Sequence, residues 1–482
     1  MTINLKSGVL QNRQTDNDSL TLRSRVGRAT PCAPPQARGR AAGFLSVPLC
    51  LCGFLLLSAL LVVAPARAES LLLCNAIVHT VSGDNLAHGS VFIENGKIVE
   101  VRDDPKSTLS EEHPNATVID LEGQHLYPGM IALNSALGLS EIESVRGTLD
   151  STEISEFHPD VESWIAVNPD SELIPVTRAN GITHAEPVPQ GGVVAGLSGL
   201  VAFDGWTVEQ MTIKHPTALH VYWPAMQLDT TPKEKLRDPT KFKSLEDQAK
   251  ERQTKLRALD DFFADARAYA KAREAGTCNL NPPWEAMLPV IHGDVPIVIH
   301  ADELRQINAA VKWAQTNGFG IILEGGRDAW RAASLLAERH IPVVYQGIWD
   351  TSNDYEGYDV HFKAPEILRQ AGVKVAFCHG SDSFNNAMSK NLPYAAAQAV
   401  AFGLPENEAL KGLTLYPAQF LGVADRLGSI EAGKEATLFV ADGNILDIRA
   451  NVKRMWIAGQ EVSLASRHTR LYEKYKNRPP PK

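Results

Sequence analysis

The middle of the chain alternates short, nearly continuous apolar segments with segments whose apolar residues recur at a helical period. The apolar segment 295–300 is followed by 303–315, in which Leu304, Ile307, Val311 and Ala314 share one helical face. Further apolar segments lie at 130–133, 182–185, 193–200, 218–222, 319–323, 341–345 and 373–377, with helical patterns at 328–338 and 364–370. This alternation indicates parallel β/α units. It predicts an α/β fold with a (β/α)8 barrel, and an open doubly wound sheet is the alternative. No G-x-G-x-x-G sequence follows a strand, which disfavours a nucleotide-binding open sheet.

Short β-strand patterns with tight turns flank this middle region on both sides. Residues 91–93 and 97–99 surround Glu94-Asn95-Gly96, and Asn-Gly is typical of a two-residue hairpin turn. Similar strands occur at 436–440 and 452–457. Neither set is large enough to fold alone, so we predict one small composite β-sandwich made from both. The expected domains are sandwich segments 69–125 and 426–465, a barrel at 126–425 between them, and a tail at 466–482.

One stretch of the predicted barrel, residues 233–275, is dense in charges of both signs. Its apolar residues include Leu259, Phe262 and Phe263. The pattern predicts a helical insertion, either one long solvated helix or a helical hairpin. Long insertions tend to lie at the surface, so surface decoration is favoured over a lid that covers the functional site.

Residues 1–68 have the pattern of an export signal. Several arginines precede an apolar run from Phe44 to Val63, and Ala66-Arg67-Ala68 follows. A basic segment, an apolar segment and an A-x-A sequence indicate secretion with cleavage after Ala68. The run is also ~20 residues long, which is enough to span a bilayer once. The basic part is longer than that of an ordinary signal peptide. The segment is therefore either a signal peptide whose true start lies downstream of Met1, or a single N-terminal membrane anchor that is not cleaved. Both alternatives place the rest of the chain in the periplasm or cell envelope.

Charge and cysteine content narrow the classes of partner. The formal net charge is −9, and residues 1–68 hold eight Lys/Arg and two Asp, so the remainder holds 39 basic and 54 acidic residues. An acidic body disfavours nucleic acid as the main partner, and we predict a small-molecule substrate.

Cys74, Cys278 and Cys378 follow residue 68 without any C-x-x-C pair. This spacing indicates neither a disulfide framework nor a zinc knuckle.

Polar residues end several predicted barrel strands, which is where a barrel places its catalytic groups. His300 ends one strand and is followed by Asp302, Glu324 ends the next strand, and Asp382 follows the last. A histidine at one strand end and carboxylates at others can build a metal or acid–base site. For Asp382 two alternatives remain, a site residue or the N-cap of the next helix.

The neighbouring residues Cys378 and His379 cannot both point into the barrel, because side chains alternate across a strand. We expect structural roles for both. A Cys378 or serine nucleophile is a further hypothesis, but it is disfavoured because no sequence motif pairs either residue type with a base.

Four sequence segments carry a resemblance to a known family. They are 126–131 (LYPGMI), 298–302 (VIHAD), 391–405, and 414–436 with its TLYPAQFLG and LGSIEAGKEA motifs. In these segments the chain resembles the amidohydrolase superfamily, in particular its imidazolonepropionase-like branch. The similarity extends over about residues 70–465. It implies a barrel inserted into a composite β-sandwich, as the hydrophobic pattern also predicts.

The family's metal-binding motif departs from the usual pattern in this chain. Members usually carry Asp-x-His-x-His after the first strand's Pro-Gly, whereas Asn134 and Ala136 occupy the positions of the two histidines here. Glu324 or one of the glycines after it matches the position of the strand-six histidine, and only the strand-five histidine, as His300, and the last-strand aspartate, as Asp382, are retained. The resemblance therefore implies at most one divalent metal, zinc or similar, that is weakly bound or absent. His300, Asp382 and Glu324 would hold it, and Asp382 would be the catalytic proton acceptor.

Two functional hypotheses follow from the resemblance. The first is a hydrolase that acts on non-peptide, cyclic amide-like carbon–nitrogen bonds through a metal-activated water. The second is a catalytically degenerate member that acts as a binding or partner subunit, either as a homo-oligomer or paired with an intact paralogue. Asn134 and Ala136 favour the second hypothesis, because a catalytic zinc normally has at least three protein ligands.

Overall fold

The computed structural model of the protein describes residues 70–106 and 108–479. The predicted export segment 1–68 lies outside these residues. The strands are β1 (Ser70–Val78), β2 (Leu86–Glu94), β3 (Lys97–Asp103), β4 (Thr117–Asp120), β5 (His125–Pro128), β6 (Met130–Ser135), β7 (Ile182–Pro187), β8 (Val194–Ala202), β9 (Thr212–Tyr222), β10 (Ile297–Ala301), β11 (Ile321–Gly325), β12 (Val343–Tyr345), β13 (Val375–Phe377), β14 (Leu438–Ala441), β15 (Val452–Ile457) and β16 (Gln460–Glu461). The α-helices are α1 (Thr108–Glu112), α2 (Leu173–Arg178), α3 (Val208–Met211), α4 (Leu245–Glu274), α5 (Pro282–His292), α6 (Leu304–Asn317), α7 (Ala333–Glu338), α8 (Val360–Gln370), α9 (Ser383–Met388), α10 (Leu392–Ala401), α11 (Glu406–Leu413), α12 (Leu415–Phe420) and α13 (Arg467–Lys476).

Strands from both sides of the barrel form one eight-stranded sheet. Its order is β16-β15-β14-β5-β1-β2-β3, and β4 pairs with β1. β14, which follows the barrel in the sequence, pairs antiparallel with β5, which precedes it, and Leu438 lies opposite Pro128. Asn95 and Gly96 turn the β2–β3 hairpin at φ values of 52° and 76°, the left-handed conformation that Asn-Gly turns require. The predicted composite β-rich domain is confirmed.

The middle region forms a second eight-stranded sheet in the order β13-β12-β11-β10-β9-β8-β7-β6. β9 to β13 run parallel to one another, as do β6 and β7. Helices α6, α7 and α8 connect successive strands, and their buried faces carry residues such as Ile307, Leu336 and Leu368. This almost closed barrel confirms the predicted fold class.

Strand β8 departs from the all-parallel arrangement, because it runs antiparallel to both β7 and β9. Six residues, 188–193, separate β7 from β8. A parallel crossover needs about a dozen residues or more, so this connection can only reverse the chain. The apolar run 193–200 predicts a buried strand correctly, but its composition does not encode the strand's direction.

The charged insertion is dominated by the single helix α4, which is 30 residues long. Leu259 and Phe263, near the middle of α4, are buried against the barrel helices, and the Phe263 ring lies 5.0 Å from that of Trp313 on α6. The first half of α4 and the loop after β9 enclose a cavity of about 430 Å³. Among the helices of the described residues, none combines the length and apolar character needed to cross a bilayer.

Candidate functional site

The interior of the barrel changes from apolar to polar toward the carboxyl ends of its strands. Val298, Ile322 and Ala376 pack together inside the barrel. Side chains two positions later on a strand share the same face. Those positions are His300 on β10, Glu324 on β11 and Cys378 just after β13. The fold therefore brings two of the three predicted site residues, His300 and Glu324, to adjacent strands, where they are paired in register.

His300 lies in a histidine pair. Its Nε2 atom is 2.9 Å from Nδ1 of His220, on the neighbouring strand β9. The ring also stacks on Tyr222 with a centroid separation of 4.0 Å. Burial, followed by the nearby His220, lowers the pKa of His300 well below its ordinary 6.5. His300 is therefore a neutral imidazole at neutral pH, able to accept or donate one hydrogen bond at each nitrogen according to its tautomer.

A buried carboxylate continues this pair deeper into the barrel. Glu186 on β7 has an Oε1 atom 3.7 Å from Nε2 of His220, and the same oxygen accepts a 2.8 Å hydrogen bond from the Ser198 hydroxyl. Within the described part of the chain, His220 Nε2 is buried without a hydrogen-bond partner. Glu186, His220 and His300 thus form a line of polar groups on β7, β9 and β10.

A second polar cluster contains two of the positions that the resemblance assigns to metal ligands. Asn134 donates a 2.5 Å hydrogen bond from Nδ2 to Oε1 of Glu324. The Cys378 thiol lies 3.4 Å from the same oxygen. Asn134 has φ of 44°, a left-handed conformation in which asparagine is one of the favoured residues. The two substituted ligand positions therefore bond to each other.

Burial determines the charge of this cluster. It raises the pKa of the Glu324 carboxyl well above 4.5, against the smaller lowering effect of its hydrogen bonds from Cys378 and Asn134. Burial, and then the neighbouring Glu324, also raises the pKa of the Cys378 thiol well above 9.0. A thiol held in its protonated form is a poor nucleophile. Cys378 therefore lies inside the barrel but has the properties of a structural residue, as expected.

Asp382 does not face the barrel interior. Its side chain is exposed, and its carboxylate accepts hydrogen bonds from the backbone N–H of Asn385 at 3.1 Å and from the Asn385 side-chain amide at 2.6 Å. It is the N-cap of α9. Of the two alternatives for Asp382, the structure has the helix cap, because the backbone after β13 turns directly into α9 and leaves its first N–H groups to be satisfied.

Ala136 supplies no ligand atom. Its side chain is fully buried, and its carbonyl oxygen accepts a 3.1 Å hydrogen bond from the Asn386 side chain. Asn386 also bonds the carbonyl of Ser140, and so ties the loop after β6 to α9. Ala136, at the position where the amidohydrolase family has a histidine ligand, therefore helps to hold the loop after β6 against α9.

The predicted metal ligands do not converge. A zinc site needs three or more ligand atoms around a common point. Across residues 70–106 and 108–479, the only set of three ligand atoms from His, Cys, Asp or Glu within 4.8 Å of one another is Glu100, Glu112 and His113, in the composite sheet domain. There Arg102 already bonds both carboxylates. The barrel residues present do not fit a metal centre of the expected kind.

Sequence reasoning missed Glu186 and His220. A signal for His220 was present, because Ala218 lies two positions earlier on the same strand and faces the barrel interior. Glu186 follows the predicted strand 182–185 and precedes Pro187. A single acidic residue before a proline is typical of a turn, so the sequence offered no reason to place Glu186 inside the barrel. Neither residue belongs to a motif, so only the pairing of β7, β8 and β9 reveals their proximity.

Comparisons with known proteins agree on one family. Residues 210–462, just over half of the chain, match the model of the amidohydrolase family. Amidohydrolase tasK of Hapsidospora irregularis is 24% identical in an alignment 420 residues long, which covers 77% of this chain and 39% of that protein. The imidazolonepropionase of Mesorhizobium japonicum is 26% identical over 148 residues, 31% of this chain and 35% of that enzyme.

Solved structures give the same result. The crystal structure of an amidohydrolase from Thermotoga maritima superposes with a TM-score of 0.69 at 27% identity, covering 82% of this chain and 99% of that one. The chain itself spans only about two fifths of the length of tasK and about a third of that of the imidazolonepropionase. From the matched family model and the shared barrel, the chain belongs to the amidohydrolase family.

Proposed function

We propose that this chain is a catalytically degenerate amidohydrolase-family protein, which keeps the family's scaffold and acts as a binding or partner subunit. The observation that carries the proposal is the hydrogen bond between Asn134 and Glu324. At two of the positions that should converge on a metal, the side chains satisfy each other. Family membership makes a small molecule the expected ligand. A second copy of the chain, or an intact paralogue, is the expected protein partner.

The energetics of the barrel interior support this proposal. Freeing Oε1 of Glu324 for a cation would leave the Asn134 amide without its buried partner. Such an unpaired donor costs about 1–3 kcal/mol. Asp382 would also have to give up its bonds to the first turn of α9. Each step opposes the recruitment of a metal by this chain.

The other candidate is hydrolysis of cyclic amide-like carbon–nitrogen bonds, the activity that family membership suggests. The observation in its favour is the line Glu186–His220–His300, which has an unpaired nitrogen at its centre. The amidohydrolase family is typically metal-dependent, and the weakly held divalent ion inferred from the sequence would belong to this candidate.

Metal analysis combined with an activity screen separates the two candidates. The full chain, His300→Ala, and the matched control His88→Ala would be purified without chelator, analysed for metals, and assayed with a panel of cyclic amides. His88 is an exposed histidine on β2, in the composite sheet. We expect well under one zinc per chain in all three proteins and no hydrolysis above background. Stoichiometric zinc that survives dialysis, with activity that only His300→Ala removes, would overturn the degenerate assignment.

A companion variant tests whether the barrel can accept a metal when the missing imidazoles are restored. Asn134→His combined with Ala136→His should raise zinc occupancy above that of the wild type. Histidine also tolerates the left-handed backbone at position 134. Unchanged occupancy in a folded double variant would show that Asn134 and Ala136 are not what prevents binding.

We also propose that the protein acts outside the cytoplasm, in the periplasm or cell envelope. The support is the basic, apolar and A-x-A series that ends at Ala68.

A further inference from the structure

The tail, expected only as residues 466–482, contains a well-formed helix with an unusual surface. Ser466 and Thr469 form a reciprocal capping box at the start of α13, with the Ser466 N–H bonded to the Thr469 hydroxyl at 2.9 Å. None of its ten residues is buried. The helix is therefore fixed in register at its N-terminus while most of its surface faces solvent.

Apolar and aromatic side chains gather on one side of α13. At about 100° per residue, His468, Leu471, Tyr472 and Tyr475 fall within an arc of roughly 100°. Leu471 is 37% exposed, Tyr472 62% and Tyr475 59%. This stripe is accessible along the length of the helix.

The opposite side of α13 faces the protein body. Arg470 lies on that side, and its guanidinium pairs with the Glu172 carboxylate at 2.7 Å, just before α2. With Arg470 directed inward, the arc that carries Leu471 and the tyrosines is directed outward. The helix thus presents its apolar stripe away from the body.

Basic side chains border this stripe on both sides. Lys474 lies 5.6 Å above the Tyr475 ring, and Lys476 lies 5.4 Å above the Tyr472 ring. Arg467 extends the same border at the start of the helix. Residues 466–482 hold six basic residues and one acidic residue, although the whole chain carries a net charge of −9. The tail is a concentrated positive surface on an acidic protein.

We propose that α13 docks on the surface of a bilayer rich in anionic phospholipid, with the Leu471–Tyr475 stripe in the headgroup region and the flanking lysines and arginines against the phosphates. Short helices with an apolar and aromatic face bordered by Lys and Arg bind membrane interfaces in this way. Each basic residue near an anionic surface strengthens binding about fivefold. A nucleic acid is the less suitable polyanion, because the acidic body would repel it over its length and the Leu471 stripe would stay in water.

Hydrogen exchange of the full chain tests the proposal, because it reports on residues 467–476 separately from the apolar run at 44–63. The chain would be mixed with vesicles of phosphatidylglycerol and phosphatidylcholine, or of phosphatidylcholine alone. We expect the amides of α13 to exchange at least about tenfold more slowly with the anionic vesicles only, and the protection to disappear in ~0.5 M salt. Equal protection by neutral vesicles, or none with either, would overturn the proposal.

Two variants and a matched control sharpen the result. Arg467→Glu with Lys474→Glu should raise the vesicle concentration needed for half-protection by at least about twentyfold. Leu471→Ser with Tyr475→Ser should also weaken protection, which a purely electrostatic contact would not show. Arg305→Glu with Lys312→Glu places the same charge change, at the same spacing, on exposed positions of α6. An equal loss in this control, or protection by duplex DNA in place of vesicles, would refute docking through α13.

Discussion

Replacement of Glu324 by glutamine should change how the stability of this protein depends on pH. Burial raises the pKa of Glu324 well above 4.5 in the folded protein, whereas the unfolded chain has the ordinary value. The folded state therefore binds the proton more tightly. The stabilising effect of the protonated carboxyl is complete below about pH 4.5 and is lost as the pH rises through the folded-state pKa.

The size of the effect follows from linkage. Each pH unit between the unfolded and folded pKa values of Glu324 removes about 1.4 kcal/mol from the free energy of unfolding. Glutamine has the same shape and no ionisation, and its side-chain oxygen can still accept the bond from Asn134. Glu324→Gln should therefore match the wild type near pH 4.5 and become progressively more stable than it as the pH rises, by up to about 1.4 kcal/mol for each pH unit until the folded-state pKa is passed.

Urea unfolding at several pH values between 4.5 and 8 measures this difference directly. Glu143→Gln is the matched control, because Glu143 is exposed in the loop after β6. The control should follow the wild-type curve at every pH. If the curves for Glu324→Gln and the wild type stayed parallel within about 0.5 kcal/mol, Glu324 would not be a neutral acid, and the account of the Asn134–Glu324 cluster would be wrong.

Three further predictions concern the barrel, the composite domain and the export segment. Asn134→Ala should lower the free energy of unfolding by about 2–4 kcal/mol, because it removes a buried hydrogen bond and forces alanine into a left-handed conformation. Asn134→Gly should recover about 1 kcal/mol of that loss, because glycine adopts this conformation without strain. Deletion of 428–462 removes β14 and β15 and should give an insoluble or protease-sensitive product, so a truncated chain with unchanged melting would contradict a shared β-rich domain. N-terminal sequencing of protein from the cell envelope should begin at Glu69, and a cytoplasmic pool with Met1 intact would contradict export.

Elements with strong periodic patterns could be predicted from the sequence. The β2–β3 hairpin turns at its Asn-Gly pair, α6 buries the predicted face with Ile307 and Val311, and β14 joins the strands near the start of the described chain. In each case a local rule and the global fold require the same residues. Strand direction at β8 was not encoded in this way, since it depends on the length of a connection whose boundaries the sequence leaves uncertain.

The functional site was less predictable, because it depends on where side chains point after the strands end. His300 and Glu324 occupy strand positions with a fixed inward face, and they lie in the barrel as expected. Asp382 follows its strand by several residues, where the chain is free to turn. The same carboxylate could reach inward or cap a helix, and only the start of α9 decides between them.

Three acids near the carboxyl ends of the barrel strands each have hydrogen-bond partners of their own. A carboxylate without a cation is costly inside a barrel. Asp382 is exposed to solvent and caps α9, Glu324 accepts a bond from Asn134 while burial raises the pKa of its carboxyl, and Glu186 accepts a hydrogen bond from the Ser198 hydroxyl. A cation held by Asp382 and Glu324 would have to break the bonds that these two side chains make to α9 and to Asn134. This hydrogen bonding is therefore what the proposed degenerate role requires of a barrel that has Asn134 and Ala136 in place of two imidazoles.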